Sequence, residues 1–342
     1  NNLKLISEGE TTIKLLVNGV EFDSFILTVI NKEIIEISSV EQLQQVSNKS
    51  YKVVSNLDMS NFTTLENFEG ELDFNGCVIT NLKMPLFTTI SSNALVKNLK
   101  INSNIALSNA SVNNHAIIAI TNNGTISNIQ LENCSVSVNQ TLNNVIYLSL
   151  ICFNNNGTIF DINFNNVTVS DSRTGQTVNT SRFGGVAINN YGLITGVNGK
   201  LIINNFVRTS GVCDLTNGAI NNVDLDVNIT TCEKFVGAGV AYRVDSAENT
   251  TTFENIDLNI TLNGNENIKS FGAVFNAVRN NVVLNNIEAN TTLNMSYSNE
   301  KVGLFVYEVL STCSATANNC YYTNIGGYSA LISGTINNLI AK

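Results

Sequence analysis

The stretch Asn122–Val138, NNGTISNIQLENCSVSV, constrains this chain more than any other because the sequence keeps returning to it. Asn155–Val169 (NNGTIFDINFNNVTV), Asn190–Ile203 (NYGLITGVNGKLII), Thr216–Ile229 (TNGAINNVDLDVNI) and Ser333–Lys342 (SGTINNLIAK) follow the same pattern. In all five a glycine is followed two residues later by Ile and five residues later by an aliphatic. The glycines are 33 residues apart from Gly124 to Gly157, 35 from Gly157 to Gly192 and 26 from Gly192 to Gly218. Self-similarity at that spacing marks a stacked-repeat architecture.

Composition agrees. Of 342 residues 43% are hydrophobic and only 13% charged, and Asn, Ser, Thr, Val and Ile dominate. That mixture favours short strands joined by turns. The formal charge of −9, with 18 Lys and Arg scattered along the chain, argues against nucleic-acid binding. No apolar run reaches membrane-spanning length and no signal peptide stands at residue 1. The abrupt start at Asn1 reads as a piece of something longer. Fourteen N-x-S/T sequons are close to the roughly ten that this Asn, Ser and Thr content gives by chance, so they do not establish glycosylation.

Residues 1–32 read as a separate module. Ile13, Leu15 and Val17, then Phe25, Leu27 and Val29, alternate along two strands joined through Asn18-Gly19, a hairpin signal. The segment GETTIKLLVNGVEFDSFILTV resembles the last two strands of a bacterial Ig-like domain, which implies that the rest of that domain lies upstream. From residue 33 onward a solenoid is expected. Ile34–Ile37 is a strand, and Ser38 or Ser39 caps a short amphipathic helix with Val40, Leu43 and Val46 on its apolar face, covering the open end.

The segments IEISSVEQL, YKVVSNLDMS, FEGELDFNGCVITNL and the recurring NGTI-x-N/D-I resemble the repeats of GLUG-containing bacterial surface proteins, as does Asn319–Tyr322 (NCYY) near the end. The "G-L-F-G" element of that family is weakened here to Pro85-Leu86-Phe87, Gly184-Gly185-Val186, Gly237–Val240, Phe271–Val274 and Gly303–Phe305. The resemblance spans Ile34 to Lys342 and implies a β-helical passenger on the cell surface, with no shared catalytic residues to carry over.

Aligning the repeats gives an aliphatic column: Leu82, Leu99, Ile129, Ile162, Val197, Val223, Ile256, Ile287, Ile325 and Leu339. The residues before it are Asn81, Asn98, Asn128, Asp161, Gly196, Asn222, Asn255, Asn286, Asn324 and Asn338. Asn tolerates the left-handed turn geometry, and its amide reaches its counterpart one rung away, about 4.8 Å. The expected fold is therefore all-β, a right-handed parallel β-helix of about ten coils. Leu131, Phe164, Leu225 and Leu258 point inward, while Gln130, Asn163, Asn198, Asp224, Asp257 and Glu288 form an outward column.

The acids of that column, with Asp226 two residues beyond Asp224, are the candidate metal ligands: Asp224, Asp226, Asp257 and Glu288 suit calcium through oxygen ligands, or paired carboxylates for sugar chemistry. The plainer reading is a solvated acidic face. Arg173, Arg182, Arg208, Arg243 and Arg279 qualify as lyase bases by residue type alone, and Arg243 with Asp245 reads as surface ion pairing. His115, the sole histidine, lacks Ser and Asp partners for a triad, and no zinc spacing exists. The seven cysteines read mostly as small buried apolar residues, with one local disulfide between Cys313 and Cys320 a candidate across a polar turn. Tyr321 and Tyr322 are the candidate ligand-binding aromatics, with closure of the last coil as the alternative.

The sequence is thus read as an extracellular, non-enzymatic adhesin or stalk without a resident cofactor. Its partners are a host or matrix glycan or protein, or further copies of itself, met through the loops Ser170–Ser181 and Asp245–Thr252. A carbohydrate-active enzyme and a self-assembling filament subunit are the competing readings.

Overall fold

The computed structural model describes residues 9–29, 33–83, 85–107, 113–138, 145–177, 179–245, 250–264 and 267–342. Gly9–Val17 and Val20–Val29 form an antiparallel hairpin that pairs with no other described strand. Its turn residues Asn18 and Gly19 have φ of 51° and 81°, the two positive values that a two-residue hairpin turn requires. Leu15, Phe22, Phe25 and Ile26 are exposed, so the hairpin buries little by itself.

The remaining strands form two parallel sheets of 16 strands each, consistent with a β-solenoid. In the first sheet the main path runs in chain order from Ile34–Ile37 through Thr158–Asp171 and Ala219–Thr231 to Ile336–Ala341. Each strand pairs with its equivalent in the next coil, with Ile129, Ile162, Val197, Val223, Ile256 and Ile287 in one register column. These side chains and the inward Leu131, Phe164, Leu225 and Leu258 are all buried in one continuous core.

The short helix is Val40–Leu43. The Ser39 side chain accepts from the Gln42 backbone N–H, and Leu43 and Val46 join the core. Hydrophobic burial rather than intrinsic propensity holds so short a helix.

The Asn corner is where expected over most of its length. Asn98, Asn128, Asp161, Gly196, Asn222, Asn255, Asn286 and Asn338 all have positive φ, and amide bonds link Asn128 to Asn98 (2.7 Å), Asn255 to Asn222 (3.0 Å) and Asn286 to Asn255 (3.1 Å). At position 196 glycine takes the same corner at φ +66°, and a Cβ there would stand 2.8 Å from Asp161 Oδ1. Two members of the sequence alignment are corrected. Asn319 and Cys320, not Asn324 and Ile325, continue the column, because Asn285 pairs with Asn318 and the Asn319 amide donates to Asn286. Asn81 and Leu82 fall outside it, because Val78–Thr80 pairs with residues 100–102, beyond the corner.

The second sheet bends. One ladder runs through Ile146–Ser149, Ser181–Gly184, Arg208–Ser210, Val236–Ala238 and Ser270–Gly272, and the other through Cys152–Asn155, Ala187–Asn190, Cys213–Thr216, Ala241–Val244 and Phe275–Val278; both join at Val302–Val309. At the bend Ser149, Gly184, Ser210, Ala238, Gly272 and Gly303 stack in register. A Cβ on Gly184 would meet the Ala187 carbonyl oxygen at 2.0 Å and one on Gly272 that of Phe275 at 1.9 Å. Gly184-Gly185-Val186, Gly237–Val240, Phe271–Val274 and Gly303–Phe305 therefore lie at the corner where this sheet bends.

Candidate functional site

The acidic column is real in register. Gln130, Asn163, Asn198, Asp224, Asp257, Glu288 and Tyr321 lie opposite one another on successive rungs. Of these, Asp224, Asp257, Glu288 and Tyr321, with the neighbouring Asn222, Asn255, Asn286 and Asn319, line an open groove of about 540 Å³. Asp226 stands apart, between Lys200 and Asn259 in the next outward column. Parallel strands set successive carboxylates roughly 4.8 Å apart, one per rung. Among the described residues no three His, Cys, Asp or Glu side chains gather into a metal-binding group, so the four proposed calcium ligands do not assemble as a set.

The groove has its own electrostatic gradient. Burial, then the charges of Glu288 and Asp224, push the Asp257 carboxyl above its ordinary value. At the C-terminal end the Lys342 ammonium donates to Glu288 Oε2 at 2.5 Å and lies 4.4 Å from the Tyr321 ring centroid. That hydrogen bond holds Glu288 below its usual value. Tyr321 lines the groove and donates to Asn319 Oδ1, whereas Tyr322 packs, partly buried, against the core.

A second constellation, which the sequence reading missed, follows the bend of the second sheet. The bend brings outward side chains six residues apart face to face. Tyr147 stacks on Phe153 with centroids 6.4 Å apart, Arg208 Nε donates to Asp214 Oδ1, and Asn276 donates to Ser270 Oγ at 2.9 Å. Arg182 and Arg208 occupy one register column with Tyr147. The Arg208 guanidinium covers the Tyr242 ring at 3.8 Å, and that of Arg182 covers Tyr147 at 4.6 Å while Nη1 approaches Asp214 Oδ2 to 3.7 Å. The Arg208 side chain is 6% exposed and that of Asp214 0%. Burial pushes Asp214 up and Arg208 down, each opposed by the other's charge. Arg208 Nη2 and Asp214 Oδ2 are buried without a hydrogen-bond partner. The available signal was the pairing of polar residues at i and i+6 around Ser210 and Gly272 of the corner.

The other candidates separate. Arg243 pairs with Asp245 at the seam's edge, as the plain reading had it. Arg173 is locked to Asp171 by an ion pair whose side chains are 2% and 0% exposed, which anchors the loop Ser170–Ser181. Arg279 lies elsewhere, exposed beside Asn281 and Cys313. Residues 246–249 of the loop Asp245–Thr252 lie outside the described residues. His115 sits in the two-residue strand Asn114–His115, where its carbonyl accepts from Ser149 Oγ at 3.4 Å.

All seven cysteines are free thiols. The expected Cys313–Cys320 disulfide is absent because Cys320 points into the core, donating to the Leu284 carbonyl at 3.2 Å. No family model, curated protein or solved structure matches the chain.

Proposed function

We propose that this chain is a right-handed parallel β-helix displayed outside the cell, a non-enzymatic rod that holds or presents a binding surface. The observation that carries this reading is the devotion of polar corners to cohesion between coils. Asn122, Asn155 and Asn190 are fully buried and joined by amide bonds of 2.9 and 2.8 Å, ending on Thr216 at 3.1 Å, while a second, outer Asn ladder runs along the first sheet. Such ladders fix one coil on the next and give a body about 50 Å long for eleven rung spacings. The upstream hairpin, read as the end of an Ig-like domain, and the GLUG-type repeats agree with a segment of a long surface protein.

Antibody raised against the purified chain is expected to label intact cells that make the protein, and small-angle scattering to give a rod. Labelling only after permeabilisation would sink the surface assignment. A carbohydrate-active enzyme is the second reading, favoured by the open groove with carboxylates on adjacent rungs near the 5–5.5 Å separation of retaining glycosidases. Release of reducing ends from a polysaccharide, abolished by Asp257→Asn, would replace the first reading with this one.

A further inference from the structure

The seam of the second sheet offers an internal control, because one structural position recurs coil after coil. The facing pairs are Tyr147 with Phe153, Arg208 with Asp214, and Ser270 with Asn276. Ala116, Phe153 and Ile188 form a small apolar cluster at one end of the seam. The fold therefore also closes this corner with an aromatic or a neutral polar pair. A buried ion pair gains little there, since desolvation offsets its attraction. The pair nevertheless occupies the centre of the seam, beside a second arginine, with one guanidinium nitrogen and one carboxylate oxygen lacking hydrogen bonds.

We propose that the seam centred on Arg182, Arg208 and Asp214 binds an acidic polysaccharide through its carboxylate or sulfate groups. Two guanidinium groups against one carboxylate leave a local charge of +1 on a chain whose net charge is −9. Asp214 fixes Arg208, and Arg208 with the Tyr242 ring forms a rigid floor. Arg182, 18% exposed, is the group that meets the ligand anion, its plane held on Tyr147. Guanidinium presents paired donors that match carboxylate and sulfate oxygens. The seam runs across the rungs, parallel to the stacking direction, so a linear polymer fits it better than a compact acidic partner. Because the whole molecule repels polyanions, binding of one reports this local patch rather than general attraction.

This assigns a ligand class to the display surface proposed above, and a rod that binds no polyanion would refute the seam while leaving the rod. The test is affinity electrophoresis of the intact chain in low salt through polygalacturonate, through dextran sulfate, and through fully methyl-esterified pectin as the neutral control. We expect retardation by at least one polyanion, none by the ester, and weakening with added salt. Arg182→Ala should lower the affinity about tenfold, one charge-assisted contact of roughly 1.4 kcal/mol. Asp224→Asn, in the opposite groove, should leave it unchanged. Circular dichroism checks that Arg182→Ala remains folded, and Arg182→Gln serves in its place if it does not. Retardation by the carboxylated polymer alone or the sulfated one alone identifies the anion. No retardation by either, or retardation unaffected by removing Arg182, would overturn the proposal.

Discussion

Asn155→Ala is expected to destabilise the protein by about 4 kcal/mol, and Asn156→Ala, one residue later, by less than about 1 kcal/mol. Asn155 is fully buried; its amide donates to Asn190 Oδ1 at 2.8 Å and to the Leu193 carbonyl at 3.3 Å, and its Oδ1 accepts from Asn122 at 2.9 Å. Alanine leaves the Asn122 amide and the Asn190 carbonyl each short of a partner, at roughly 1–3 kcal/mol apiece. Asn156 makes the same kind of bond, 2.8 Å to Asn123 Oδ1, but at the surface, where water replaces it.

The assay is urea unfolding followed by circular dichroism, reading the midpoint at unchanged slope. The same logic predicts non-additivity. Val244, Val278 and Val309 fill this register column on later rungs, so Asn122→Val combined with Asn155→Val should cost less than the two singles summed. Equal losses for Asn155→Ala and Asn156→Ala, or strict additivity of the valine pair, would refute burial of the ladder as the source of its strength.

Gly157→Ala should be strongly destabilising, because its Cβ would stand 2.1 Å from the Gly124 carbonyl oxygen of the previous rung, whereas Gly326→Ala, with open space around it, should stay within about 0.5 kcal/mol of the parent in the same urea titration. The raised Asp257 carboxyl favours the folded state when protonated, and this contribution is lost as pH rises through its folded value. Asp257→Asn should therefore raise the thermal midpoint at neutral pH and leave it little changed at pH below the ordinary carboxylate range; a lower midpoint at neutral pH contradicts the like-charge reading. Glu288 acts oppositely: its lowered carboxyl stabilises above its ordinary value and loses that as pH falls, so Lys342→Ala should remove an increment present only at the higher pH. Cys152 and Cys213, fully buried thiols pushed up by burial, should resist iodoacetamide in the native protein while Cys313 is alkylated, with mass spectrometry reading the order.

The first sheet was largely legible because its signal is local: glycine, Ile at +2, a left-handed Asn and an aliphatic fall within a few residues. The glycines show in the sequence only as a repeating mark, and their cause lies in three dimensions, in the close approach of Gly157 and Gly192 to the backbone of the preceding coil. Asn324 misled because it too precedes an aliphatic, and only the pairing of Ala315–Tyr322 with Val282–Leu293 selects Asn319 instead. Asp214 was invisible for a different reason. It stands among cysteine and leucine in a short strand, and its meaning depends on a corner that brings residue 208 against it. Buried Asn122, Asn155 and Asn190 carry no mark that separates them from the exposed Asn beside them.

The coil from Gly192 to Gly218 is nine residues shorter than the one before it (35 against 26), yet Ile162, Val197 and Val223 remain opposite one another. Length is absorbed where the chain leaves one sheet for the other, as between Asp171 and Ser181. The molecule therefore separates two inheritances. Corner residues preserve the register, while the excursions between them can lengthen, shorten or change sequence without disturbing the interior, so new surface chemistry can arise on this body one coil at a time.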